Sequence, residues 1–165
     1  MIRLVCKHIM RLNNTLRRHY KMLIWNLKYG RQFSAEKFHF RDGFHIYIEE
    51  EGVLKIGRGT FFNNNCSITA RKMIKIGKNC IFGENVKIYD HNHRFDNAEN
   101  FINSQGFVSS GVVIEDDCWI ASNVIILKGV HIGKHSVIGA GVIVYKDVPA
   151  NSLVICKQNT VIKSI

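Results

Sequence analysis

Two imidazoles, His91 and His93, stand in the stretch Tyr89-Asp90-His91-Asn92-His93-Arg94-Phe95-Asp96, with carboxylates and a guanidinium on either side. A histidine titrates near pH ~6.5, so at neutral pH it can accept a proton and carry it as imidazolium, the work of a general base. Metal ligation is the other chemistry open to histidines this close, and spacing alone leaves both readings standing. Against the metal, His91 and His93 on an extended segment are expected to send their rings to opposite faces, a poor arrangement around one ion. Most of the other six histidines sit in duller places: His131 and His135 in repeat turns, His8 and His19 in a basic N-terminal segment.

The element that must carry these residues is set by a pulse of six. Ile56, Phe62, Ile68, Ile76, Phe82 and Ile88, then Ile114, Ile120, Ile126, Ile132, Ile138 and Val144, are large and apolar at one position of the repeat. Three residues later come Gly59, Asn65, Arg71, Asn79, Asn85, His91, Asp117, Asn123, Gly129, His135, Gly141 and Asp147, mostly types that tolerate left-handed backbone, so a corner is expected there. The next position is small or modest, as in Thr60, Cys66, Cys80, Cys118, Val124 and Ser136. A helix needs apolar spacings of three and four, and a half-buried strand needs plain alternation; neither reads in sixes. Repeats of this length signify a parallel β-helix, each unit burying its apolar face against the units above and below. Twelve units at three to a turn give roughly four coils, with an irregular first coil expected from Phe38 to Leu54. The pulse lapses between Ile88 and Ile114 and resumes in register, so residues from about 89 to 113 should be extruded as a loop. Long loops in compact domains are usually functional.

The chain of 165 residues is one domain's worth, with a net charge of +10 that is unevenly placed. Residues 1–35 hold eight Lys or Arg and no acid, whereas residues 36–165 hold fifteen bases and thirteen acids. In the first segment Ile2, Val5, Ile9, Leu12, Leu16, Tyr20, Leu23 and Leu27 recur at helical spacing. We read residues 1–35 as a basic amphipathic helical segment and 36–165 as the coil. The apolar stripe is expected to pack on the open end of the coil or on a partner subunit. Residues 1–32 could instead lie on an anionic bilayer, where each basic residue contributes ~1 kcal/mol. No aromatic-interleaved motif accompanies the charge, so nucleic acid is not expected. Apolar runs near the N-terminus are shorter than the core of a signal peptide, and a cytoplasmic location is expected. Cys66, Cys80 and Cys118 fall at the small inward position and should be reduced packing residues; Cys6 and Cys156 are isolated.

The stretches Ile76-Gly77-Lys78-Asn79-Cys80, Asp90-His91-Asn92-His93 and Ile114 through Pro149, with Cys118-Trp119-Ile120-Ala121-Ser122, resemble the hexapeptide-repeat acyltransferases. The likeness runs from about Ile56 to Lys163 and is strongest to galactoside, maltose and streptogramin acetyltransferases and to O-acetyltransferases of surface-polysaccharide loci. It implies an all-β fold, the left-handed parallel β-helix, where the general rule for parallel crossovers would give the right hand. It also implies an acetyl-CoA-dependent O-acetyltransferase acting on a hydroxyl of a sugar or surface-polysaccharide precursor, with no metal, assembled as a homotrimer whose sites lie between neighbouring coils.

Residue by residue, the resemblance puts the catalytic base at His93, after Asn85-Val86-Lys87-Ile88, with His91 as the alternative. It puts acceptor contacts at Asn63, Asp90, His91 and Trp119. Coenzyme contacts fall at Ser122, whose main-chain amide would face the thioester oxygen, and at Ala140, Tyr145, Lys146 and Lys163. Ile155-Cys156-Lys157-Gln158 departs from the Ala-Gly-x-Pro of relatives, and no helical cap of the soluble sugar acetyltransferases is recognisable in the basic N-terminus. Two rivals differ in class: a metal-dependent hydratase of the β-helical carbonic-anhydrase kind, which would want a third histidine, and a scaffold without catalysis.

Overall fold

The computed structural model describes residues 2–157, with side chains from residue 15 onward. The period of six folds as three short strands per coil, and successive coils stack into three parallel sheets that form the faces of a prism. The first sheet runs through Phe33–Ala35, Val53–Ile56, Met73–Ile76, Val112–Ile114 and His131–Ile132. The second holds His39–Phe40, Phe61–Phe62, Ile81–Phe82, Trp119–Ile120, Val137–Ile138 and Leu153–Val154; the third holds His45–Ile48, Ser67–Ala70, Lys87–Tyr89, Ile125–Ile126 and Ile143–Val144. This is the left-handed parallel β-helix, of about six turns. The first coil is regular and begins at Phe33, ahead of residue 36 where the sequence placed its start, because Phe33 pairs with Leu54 in the first sheet.

Every large residue of the pulse is buried, from Ile56 to Val144, and so are the small residues that follow the corners. Down the axis the aromatic residues stack: Phe44 on Phe62 at 4.6 Å and Phe62 on Phe82 at 4.3 Å between ring centres. The corners turn through left-handed backbone at Gly59, Asn65, Asn79, Asn85, Asp117, Asn123, Gly129, His135 and Gly141. Arg71, His91 and Asp147 belong to the same position of the repeat but do not take that conformation; Asn151 does so instead in the last coil. All three lie between the third and first sheets, where the turns differ from coil to coil.

One helix, α1 (Ile2–Tyr29), continuous through Asn13-Asn14, closes the end of the first coil. Trp25 and Tyr29 are the buried residues of its last turns, and Trp25 packs edge-on to Phe33 and Phe44 and tilted against Phe40. Tyr29 donates its hydroxyl to the Ile46 carbonyl at 3.1 Å, and the Lys21 ammonium donates to the Phe44 carbonyl at 3.0 Å. The stripe expected to make this contact faces the other way: Leu16, Tyr20, Leu23 and Leu27 are 56–74% exposed. The cap is built from the mixed basic and aromatic side of the helix because two large rings fill the coil mouth better than an aliphatic row would.

Candidate active site

Ile114 pairs with Ile76 on one side and Ile132 on the other, so the coil closes beneath the intervening segment as though it were absent. The segment leaves as a hairpin, His91–His93 antiparallel to Phe107–Ser109. Its root is Asp90, whose carboxylate is fully buried. Oδ1 accepts the Arg71 amide, and Oδ2 accepts the amides of Lys72 and Met73, all at 2.8 Å. The tight turn of the coil below would otherwise bury those donors unpaired, which is why an acid is placed there. The Asp90 carbonyl in turn accepts the Ser110 amide at 2.8 Å, pinning the returning strand.

His91 Nδ1 lies 3.1 Å from Asp90 Oδ1, and the ring is largely covered. His93 is exposed and borders a recess of about 270 Å³ with Arg94, Asp96, Val108 and Lys128. Both rings contact one partner, Phe107, at 5.5 Å from His91 and 4.4 Å from His93. The expectation of opposite faces is therefore wrong, as it must be for residues two apart on a strand, whose side chains share a face. The argument against a shared metal ion that rested on it falls. What stands is the donor set: among the described residues no three His, Cys, Asp or Glu side chains gather to hold an ion. Asp90 faces His91, and no described hydrogen bond joins it to His93.

Two residues of the site were missed in the sequence. Arg71 bears a guanidinium that lies 3.5 Å over the Phe107 ring and pairs with Glu49 and Glu50. Phe107 is thereby wedged between a cation and two imidazoles, which fixes the hairpin's outer strand. Neither carries a local signal; each acquires its role from a neighbour in another coil.

The other expected residues are distributed over the prism. Tyr145 and Lys146 lie at the corner between the third and first sheets, the corner that emits the hairpin, with the Lys146 ammonium 5.6 Å from the Tyr145 ring centre. Asn63, Ser122 and Ala140 share a different corner, between the second and third sheets; Ser122 and Ala140 are in successive coils, and one coil separates Asn63 from Ser122. Asn63 Oδ1 accepts from the Arg41 guanidinium at 3.2 Å, and Ser122 Oγ accepts the Glu84 amide at 3.0 Å. Trp119 projects from the second sheet and is half exposed. Lys163 lies outside the described residues. Within one chain, then, the third sheet separates the histidines from Asn63, Ser122 and Ala140.

A family described as bacterial transferase hexapeptide (six repeats) matches residues 111–146. Galactoside O-acetyltransferase of Lactococcus lactis is 38% identical over 95 residues, covering 58% of this chain and 45% of that protein. The enzyme of the same name from Escherichia coli K12 is 34% identical over 106 residues, covering 64% and 51%. The chain thus spans about half the length of these curated relatives. Among solved structures, a maltose O-acetyltransferase from Clostridium difficile 630 superposes with a TM-score of 0.66 at 33% identity, covering 90% of this chain and 78% of that one. A hexapeptide-repeat acetyltransferase from Vibrio cholerae, complexed with acetyl coenzyme A, gives 0.63 at 32% identity, covering 74% and 64%.

Proposed function

Because the chain belongs to the hexapeptide-repeat acyltransferase family, we propose that it moves an acetyl group from acetyl-CoA to a hydroxyl of a sugar or surface-polysaccharide precursor. The observation that carries this reading is the hairpin rooted on Asp90, which holds His93 exposed above a recess at a corner of the coil. The relatives are acetyltransferases of galactosides and maltose, and one neighbouring structure holds acetyl-CoA.

His93 is the better placed of the two imidazoles to meet substrate, because the His91 ring is turned towards Asp90 while His93 opens on the recess. In the proposed step His93 takes the proton of the acceptor hydroxyl as its oxygen attacks the thioester carbonyl. The C–S bond then breaks, and the imidazolium returns the proton to the departing thiolate. Holding both substrates together removes ~7 to 11 kcal/mol from the barrier. A main-chain amide near Ser122 stabilises the tetrahedral oxyanion, a contribution of ~3 kcal/mol for such a donor. Acceptor-dependent release of free thiol from acetyl-CoA, over a panel of glycosides, nucleotide sugars and polysaccharide fragments, tests the reading; no release with any acceptor and no acetyl-CoA binding would end it.

The separation of His93 from Ser122 and Ala140 within one chain supports a site completed between copies, and we take the assembly to be a homotrimer. Co-expression of His93→Ala with a Ser122→Trp chain should then recover activity that neither variant has alone, whereas a site within one chain recovers none.

The exposed face of α1 fits peripheral contact with an anionic bilayer from the cytoplasmic side. A helix that caps a coil presents its opposite face along the coil axis, and here that face is apolar within a segment of eight bases and no acid. No helix among the described residues is long and apolar enough to cross a membrane. Replacing Tyr20, Leu23 and Leu27 together by aspartate should abolish co-sedimentation with phosphatidylglycerol vesicles; unchanged partitioning would refute the contact.

A further inference from the structure

Between α1 and the first two coils lies a cleft of about 680 Å³, larger than the recess at His93 and away from it. Arg17, Arg18 and Lys21 reach it from the helix, and Arg41 from the corner after His39–Phe40. Asp42 is the one carboxylate on its lining, and it is paired with Arg17. None of the other three cations pairs with a carboxylate in the described hydrogen bonds. Arg18 is 3.4 Å from His39 Nδ1, Lys21 donates to the Phe44 carbonyl, and Arg41 donates to Asn63.

Three cations without a carboxylate, turned into one concavity, are an arrangement the protein would not make for stability. Burial, and secondarily the neighbouring Arg17, hold the Lys21 ammonium below its ordinary range. Aromatic rings keep the charged groups in place: Arg41 stands 5.6 Å from the Phe61 ring centre, and Lys21 lies 5.9 Å from Trp25 and 6.0 Å from Phe40. Two guanidinium forks and an ammonium at one site match a multiply charged oxyanion better than a single carboxylate, because planar forks bind phosphate oxygens in pairs. The volume is that of a site for a small organic ligand.

We propose that this cleft binds the phosphate or diphosphate of the acetyl acceptor, so that the acceptor is a phosphate-linked sugar rather than a free glycoside. The word acceptor rests on the transfer reading above; the anion site does not. The link between the two is Arg41, which lines the cleft and holds Asn63 Oδ1 at 3.2 Å. A phosphate bound there leaves the attached sugar beside Asn63, at the corner shared with Ser122 and Ala140. The diphosphate of a nucleotide-linked sugar and that of a lipid-linked sugar have this chemistry in common.

Calorimetric titration of the full chain with inorganic pyrophosphate, without acetyl-CoA, tests the site. Wild type should bind, Arg18→Gln and Arg41→Gln should each weaken binding ~tenfold or more, and Lys75→Gln on the first sheet should leave it unchanged. Thermal melting of each variant confirms that it is folded, and Lys21→Met replaces any that is not. Displacement of pyrophosphate by uridine diphosphate more readily than by farnesyl diphosphate assigns a nucleotide-linked acceptor, and the reverse order a lipid-linked one. Absence of pyrophosphate binding, or equal weakening by Lys75→Gln, overturns the proposal. A protein that binds pyrophosphate yet transfers no acetyl keeps the anion site and loses only the transfer reading.

Discussion

The Asp90 carboxylate that lies 3.1 Å from His91 Nδ1 is the same group that closes the turn Arg71-Lys72-Met73 of the coil beneath. One buried acid therefore ties the mouth of the extruded hairpin to the coil and fixes a histidine two residues from the proposed base. Structure and chemistry meet in that residue, and the two can be separated by substitution.

Asp90→Ala leaves three main-chain amides buried without acceptors, and we expect a loss of about 3 kcal/mol or more in stability. Asp90→Asn keeps one acceptor oxygen and should lose less. Urea unfolding checks this through the midpoint at constant slope; a midpoint within error of wild type for Asp90→Ala would show that the amides find other partners.

The corner of the second coil tests the stacking rule. Gly59 has φ of +78°, and a Cβ built on it would lie 2.2 Å from Asn79 Oδ1 in the next coil. Gly59→Ala combines the left-handed penalty of about 1–2 kcal/mol with that clash, while Asn79→Gly, at φ of +56°, should cost far less. Thermal melts of the two variants give the order directly.

The period of six revealed these corners because the physical demand is local: Gly, Asn and Asp meet left-handed backbone at least cost, and all the left-handed corners of the repeat but His135 use them. It likewise marked the inward column from Ile56 to Val144, since each coil repeats the same burial. The orientation of α1 was not legible, because an amphipathic pattern says that a face is apolar and not what covers it. Trp25 and Tyr29, on the side with Lys21, made the cap instead. At the site, the loop and its pair of histidines were readable from the lapse in the pulse, while the choice of His93 over His91 came from the resemblance. The role of Asp90 as a turn acceptor, and the wedge of Phe107 under Arg71, depend on residues from another coil and left no mark in local sequence.

Glu115 accepts the Lys134 amide at 2.8 Å and lies 3.0 Å from His131 Nε2, contacts that hold its carboxyl below the ordinary range, the amide foremost. A depressed folded pKa adds stability above the unfolded value of ~4.3 and loses it as pH falls through the folded one. Wild type should therefore melt slightly above Glu115→Gln at pH ~7, with the gap closing below pH ~4. A gap that persists in acid would assign the effect to packing.

Cys66, Cys80 and Cys118 are buried at inward corners, Cys80 and Cys118 stacked in successive coils and Cys66 at a different corner, and their sulfurs donate to carbonyls of the next coil, at 3.1 Å to Gly83, 3.1 Å to Glu115 and 3.3 Å to Gly133. Burial pushes the Cys66 thiol up from its usual value. Ellman's reagent should modify exposed Cys156 in the native protein and reach these three only after unfolding. Rapid native labelling of any of the three would mean that the coil opens on the time scale of the reaction.

The central claim, that His93 is the base of an acetyl transfer, is tested most directly by thiol release from acetyl-CoA with an active acceptor in wild type, His93→Ala and His91→Ala side by side. We predict a loss of ~10²-fold or more in kcat for His93→Ala, in line with removal of a general base, and a smaller loss for His91→Ala together with a lowered melting temperature. Undiminished turnover in His93→Ala, with turnover lost in His91→Ala, would contradict the assignment and give the base to the imidazole held by Asp90.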